Sequence, residues 1–323
     1  MVRTITRLIL ILGILGVTSC GDSDRSKEQS GPVHDTHQVP VVALVMKSLA
    51  NEFFVTMADG AKTHQSAHNE EYQLMVNGIK NEIDLTQQVA LIDQMIASGV
   101  DAIVVAPADS KAVVPALARA SAAGIVVVNI DNRLNEKILA DYGLDIPFVG
   151  PDNFQGALEV GQYLASQLDS GQHVAIIEGV QTAYNSQRRT AGFRKAMEEA
   201  GLNIVSQQSA QWDQTKAVVI ASAMLAQSPQ LAAILCANDN MALGAIAAVK
   251  QAGRSDQVQI IGFDNISAVR GLIREGSILA TVDQHADLLA VYGIEYALEA
   301  LATNASLADR STPVDLITID KMD

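Results

Sequence analysis

The sequence predicts an α/β protein made of two doubly wound, parallel-sheet (flavodoxin-like) lobes. Three observations lead there. From residue 41 onward, short β-branched runs alternate with amphipathic segments, the pattern of repeated βα units. The runs are apolar on both faces, as in parallel strands covered by helices on either side. There are eleven of them, more than one twisted open sheet holds comfortably, so two sheets are expected. A single (β/α)8 barrel is the rival architecture.

The first five runs are "VVALVM" (41–46), "YQLMV" (72–76), "DAIVVAP" (101–107), "GIVVVNID" (124–131) and "FVG" (148–150). Six more follow: "HVAIIEG" (173–179), "NIVSQQS" (203–209), "LAAILCA" (231–237), "VQIIGFD" (258–264), "ILATVDQ" (278–284) and "VDLITID" (314–320). Between them lie helical stretches such as 85–99, where Val89, Ile92, Met95 and Ile96 recur at helical spacing. Gly99, Gly124, Gly201 and Gly253 stand where helices stop before the next strand. No internal repeat is legible in the sequence.

Residues 1–40 read differently. Arg3 and Arg7 precede the apolar stretch 8–17, too short to span a bilayer comfortably, and "VTSC" closes it. Residues 1–19 are therefore expected to be a lipoprotein-type export signal, with Cys20 the lipidated residue, because the ending resembles a bacterial lipobox. Residues 20–39 are polar with Gly and Pro, the composition of a flexible tether. Cys236 is the one other cysteine, so no disulfide is expected despite export, and its apolar run implies a buried, inert thiol.

The net charge of −14, with no Lys/Arg cluster, argues against a nucleic-acid partner. There is no phosphate-binding loop, no GxSxG elbow and no CxxC, and no cofactor or metal is expected. His64 and His68 have i,i+4 spacing but no evident third ligand, so a solvated helix face is the plainer reading.

In open parallel sheets, ligands bind beyond the carboxyl ends of the strands. The residues just past the runs share one chemistry. They include Lys47, Asn51, Phe53 and Phe54; then Asp131, Asn132 and Arg133; then Tyr184, Asn185, Arg188 and Arg189. Trp212, Asn238 with Asp239, Asp264 with Asn265, and Asp283 with Gln284 complete the set. Carboxylates, amides and guanidinium groups each engage two neighbouring hydroxyls, and flat aromatics match the apolar C–H face of a sugar ring. In "KSLANEFF" (47–54), two adjacent Phe point about 100° apart on a helix, so one is expected to pack into the lobe and the other to serve the site. Asp131 and Asp264 compete with a plainer role as helix N-caps, and Asn238-Asp239 are expected to divide, one capping and one facing the cleft.

The motifs "LANEFF", "VVVNIDN", "CANDNMALG", "IIGFD" and "LATVDQ" recur in order, and over residues 40–323 the chain resembles the ribose/allose-binding family of periplasmic sugar-binding proteins. "KSLANEFF", "VAIIEG" and "QWDQTKA" resemble its allose-binding branch most. The resemblance implies the type I periplasmic binding protein fold, two lobes joined by a three-segment hinge with crossovers near Pro151–Asp152, Gln284–His285 and Asp315. The N-terminal lobe is then 40–151 plus 285–315 and the C-terminal lobe 152–284 plus 316–323. It implies stacking on a sugar by Phe53 or Phe54 and by Trp212, with Asn51, Asp131, Asn238, Asp264 and Gln284 hydrogen-bonding its hydroxyls. Lys47 matches a ligand-contacting Lys of the allose branch. The family's binding-site Arg falls at Arg188 or Arg189. Asp131-Asn132 departs from the Asp-Arg of the ribose-binding pattern, which counts against ribose and leaves hexoses, polyols and furanose-like signals open.

No catalytic residue is assigned. The expected partners are a small sugar or polyol, an ABC permease with its ATPase, and the membrane through the anchor at Cys20, for a monomer facing the periplasm or cell exterior. A sensor for a polyol or a furanose signal such as autoinducer-2 is the alternative. A glycosidase using Asp131 and Asp264 is a weaker one.

Overall fold

A computed structural model describes residues 39–322. Twelve strands form two six-stranded sheets. The first holds β1 (Val41–Ser48), β2 (Gln73–Ile79), β3 (Ala102–Val105), β4 (Val126–Ile130), β5 (Phe148–Pro151) and β11 (Arg310–Thr312). The second holds β6 (His173–Glu178), β7 (Asn203–Ser209), β8 (Leu231–Cys236), β9 (Gln259–Ile261), β10 (Ala280–Asp283) and β12 (Asp315–Thr318). In the first lobe the helices are α1 (Glu52–Ala67), α2 (Leu85–Ala97), α3 (Val114–Ala122) and α4 (Glu136–Asp141). Next come α5 (Asn153–Ala165), α6 (Tyr184–Glu199), α7 (Gln214–Gln227), α8 (Asp239–Gln251), α9 (Ser267–Arg274) and α10 (Ala286–Thr303).

Each of the eleven expected runs contains a strand. The added one, β11, is the three-residue segment Arg-Ser-Thr at a sheet edge, too short and polar to carry a strand signal. The spatial orders β11-β5-β4-β3-β1-β2 and β12-β10-β9-β8-β6-β7 repeat one doubly wound plan, which the sequence conceals. All pairings are parallel except β10 with β12. This is the type I periplasmic binding protein architecture, and not a barrel.

Both faces of the first sheet are covered because its strands are apolar throughout. Ala43, Val45, Ile103 and Val105 pack with Ile92 and Met95 of α2 and Leu117 of α3. Val42, Leu44 and Met46 point the other way, into a cluster with Met57 and Ala61 of α1 and Ala290 and Ile294 of α10. Gly99, Gly124, Gly201 and Gly253 all have positive φ, the left-handed stop that lets a helix turn into the next strand. Cys236 is buried, and burial pushes its thiol well up, so it is inert.

The chain passes between the sheets three times. After β5 it enters α5 at Pro151–Asp152, and α5 packs on α6 and β10. After β10 it enters α10 at Gln284–His285, and α10 packs on α1 and β4. Asp315, expected at the third passage, already pairs with Asp283, so the chain changes sheets at Pro313–Val314. Among the described residues no helix is long and apolar enough to cross a membrane, and no three His, Cys, Asp or Glu side chains are placed to hold a metal ion. His64 instead meets the Tyr72 hydroxyl at 2.9 Å and stacks on His68, which bonds Glu71. Cys20 lies outside the described residues.

Candidate ligand-binding site

A cavity lined from both lobes lies at the carboxyl ends of the two sheets. The first lobe contributes Lys47, Asn51, Phe53, Phe54, Glu82 and Asp131; the second contributes Asn185, Arg189, Trp212, Asn238 and Asp264.

On the first-lobe wall, β1 ends at Ser48 and a tight turn starts α1. Asn51 is its N-cap, accepting from Phe53 N at 3.1 Å, while its Nδ2 donates to Glu82 Oε1 at 3.2 Å. Phe53 and Phe54 both line the cavity, each 3% exposed, in an edge-to-face pair with centroids 5.1 Å apart. Both rings belong to the buried core cluster as well as to the cavity wall. In the first turn, side chains 100° apart make two sides of one corner. Lys47 Nζ forms a buried ion pair with Asp131 Oδ2 at 2.8 Å and lies within 6 Å of the Phe54 and Trp212 rings.

The second-lobe wall is built around Arg189. Its Nε donates to Asn153 Oδ1 at 2.7 Å, and its Nη1 donates to Ala237 O at 2.8 Å and Asp264 Oδ1 at 3.4 Å. The guanidinium lies 3.8 Å from the Phe263 ring centroid. Gln284 Nε2 donates to the same Asp264 oxygen at 2.6 Å. Burial pushes the Asp264 carboxyl well above its usual range, and the adjacent Arg189 works against that. Trp212 is placed by a close approach: a Cβ on Gly179 would stand 2.1 Å from the indole.

Asp131 (φ 59°), Trp212 (φ 67°) and Asp264 (φ 121°) are non-glycine residues in the positive-φ region. Such conformations cost on the order of 1 kcal/mol or more each and gather where geometry serves a ligand. Buried ion pairs such as Lys47–Asp131 and Arg189–Asp264 contribute little to stability. Two buried polar atoms of the lining have no hydrogen-bond partner among the described residues: the acceptor Asp131 Oδ2 and the donor Trp212 Nε1.

Three residues expected at the site do not line it. Arg188 turns away, its guanidinium 4.7 Å from the Phe154 ring, because successive helical positions diverge; Arg189 is the buried one. Asn132 braces the lobes, donating to Pro107 O at 2.9 Å and accepting from Asn185 N at 3.1 Å. Gln284 stands behind Asp264. Asn238 caps α8, accepting from Met241 N at 2.9 Å, and also lines the cavity, so it does not divide these roles with Asp239. Asp239 is buried away from the cavity, accepting from Thr281 Oγ1 and Ile266 N. Neither Asp131 nor Asp264 caps a helix; Asn135 and Ile266 hold those positions. Glu82 was missed, since it follows a strand by three residues in a polar loop with no motif of its own.

A family model for the periplasmic binding protein domain matches residues 42–305. The chain belongs to that family. This periplasmic binding protein is 52% identical over 288 residues to the D-ribose/D-allose-binding protein of Pseudomonas aeruginosa, covering 88% of this chain and 90% of that one. An ABC transporter solute-binding protein from Burkholderia multivorans, solved with an unknown ligand represented as α-D-erythrofuranose, is 52% identical with a TM-score of 0.86; 87% of this chain and 100% of that one align. A second, from Actinobacillus succinogenes with bound D-allose, is 34% identical with a TM-score of 0.83 over 87% of this chain and 98% of its own. Fold and relatives are those of non-enzymatic transport receptors. Asp131 and Asp264, the carboxylates a glycosidase would need, are each matched to a cation.

Proposed function

We infer that the protein is an exported, lipid-anchored receptor that binds one monosaccharide between its lobes and delivers it to an ABC permease. A hexose such as D-allose is the preferred ligand over D-ribose. The observation that carries this is the polarity of the cavity. Its walls combine two matched ion pairs, three aromatic rings, and the donor Trp212 Nε1, which has no hydrogen-bond partner among the described residues. A hydroxyl both donates and accepts, so a polyhydroxylated ring satisfies such atoms while its C–H faces lie against the rings.

Lys47 supports a hexose, and so does the D-allose in one related structure. The apolar stretch 8–17, followed closely by Cys20, supports export and anchoring.

A thermal-shift screen of monosaccharides and polyols is the test. A ligand that binds the folded state alone raises the melting temperature by mass action, and D-allose is expected to give a larger shift than D-ribose. If no small hydroxylated compound moves the transition, the reading fails. Replacing Cys20 with Ala is expected to release the protein from the membrane fraction.

A further inference from the structure

Five charged side chains line the cavity, and two ion pairs account for four of them: Lys47 with Asp131, and Arg189 with Asp264. Glu82 is the fifth and has no cation of its own. It is 9% exposed, and its one hydrogen-bond partner among the described residues is Asn51 Nδ2. Its position is as informative as its charge. Glu82, Asn51 and Trp212 line both the cavity and a wider neighbouring recess, so they stand where the cavity meets the mouth of the cleft.

We propose that Glu82 contacts the ligand in its protonated form, donating its O–H to a sugar oxygen on the mouth side of the cavity, so that sugar binding is linked to a proton. This rests on the sugar-receptor reading above. A carboxylate only accepts, and closing the lobes over one with no cation partner is unfavourable. A neutral carboxyl donates and accepts, which is what a hydroxyl neighbour needs. Burial pushes the Glu82 carboxyl up to about 7, with Lys47 and Asn51 opposing and Asp131 adding to the rise. The groups around it are Lys47 at the end of β1, Asp131 after β4, and Arg189 and Asp264 across the cavity; Lys80, Asp213 and Lys216 line the recess. Asp239, also pushed up to about 7, first by burial, lies behind the second-lobe wall and bonds Thr281 and Ile266.

Calorimetric titration of D-allose and D-ribose into the protein between about pH 5.5 and 9 tests this. The expected affinity is level below about pH 6.5 and falls toward tenfold per pH unit well above 7, as linkage to one proton requires. Repeating the titration at pH 8 in buffers of different ionisation enthalpy is expected to show uptake approaching one proton, a count that needs no variant. Glu82→Gln, which keeps a donor but cannot ionise, is expected to flatten the profile. Binding that is level across the range overturns the proposal. So does a slope that persists in Glu82→Gln, which assigns the proton to Asp239 or Asp264. If neither sugar binds at any pH, the monosaccharide reading fails, and this proposal with it.

Discussion

The carboxylate of Glu52, in the first turn of α1, accepts a hydrogen bond from Ser267 N, the first residue of α9, at 2.6 Å across the cleft. The residue preceding α9 is Ile266, which offers no cap of its own. The same arrangement serves α6, which Ala183 leaves uncapped: Tyr184 N donates to Ser110 Oγ at 2.9 Å and Asn185 N to Asn132 Oδ1 at 3.1 Å. Two second-lobe helices are thus capped from the first lobe. The orphan N–H groups of a helix start need such partners, and a carboxylate there also meets the helix dipole. These caps exist only while the lobes are together.

Removing one should therefore weaken closure and leave each lobe intact. A cap is worth about 1 kcal/mol, so Glu52→Ala or Asn132→Ala is expected to weaken sugar affinity about fivefold. The loss should be equal for every sugar, because neither side chain lines the cavity. Calorimetry with two sugars checks this, and a change in their ratio would contradict it.

Gly179→Ala is expected to cost affinity more than stability. The added methyl has no room beside the indole of Trp212, which must leave its place on the wall. Sugar affinity should fall at least tenfold while the far-ultraviolet dichroism stays that of the parent.

Asp264→Asn leaves Arg189 buried without its counter-charge. Breaking a buried pair costs about 3–5 kcal/mol, so the melting temperature should fall by several degrees and the sugar-induced shift should vanish. Trp212→Ala should also abolish the shift, because it removes the second-lobe ring.

Stability should depend on pH in one direction over the weakly acidic range. Glu82 and Asp239 are held up to about 7, against ordinary values of 4.5 and 3.8. The folded protein keeps these protons while the unfolded chain releases them, so the stabilisation is complete below about pH 4 and is lost as pH rises through 7. The decline is on the order of several kcal/mol for the two groups together. Melting curves of the sugar-free protein between pH 5 and 8 should show it, and Glu82→Gln should reduce it.

Much of the fold was legible because it rests on local signals. Alternating apolar runs and amphipathic segments mark parallel strands and their helices, and glycine marks the stops between them. The strand ends are known once the strands are, which is why Lys47, Asn51, Asp131, Trp212 and Asp264 stood out as one set before any fold was in view. β11 escaped because a three-residue polar edge strand is set by its neighbour, Gly150–Pro151, and not by its own residues.

The sequence by itself determined the elements, their order and the chemistry gathered at one end of each sheet. Only the tertiary structure decided how that chemistry is shared out. It turned both Phe53 and Phe54 to the cavity, separated Arg189 from Arg188, and moved Asn132 from the ligand to the seam between the lobes. It also brought in Glu82. These outcomes depend on which atoms meet across 31 to 215 positions of chain, as Asn51 meets Glu82 and Glu52 meets Ser267. Periodicity reports which side of an element is apolar; the identity of the group on the far side of a cleft is a property of the closed fold alone.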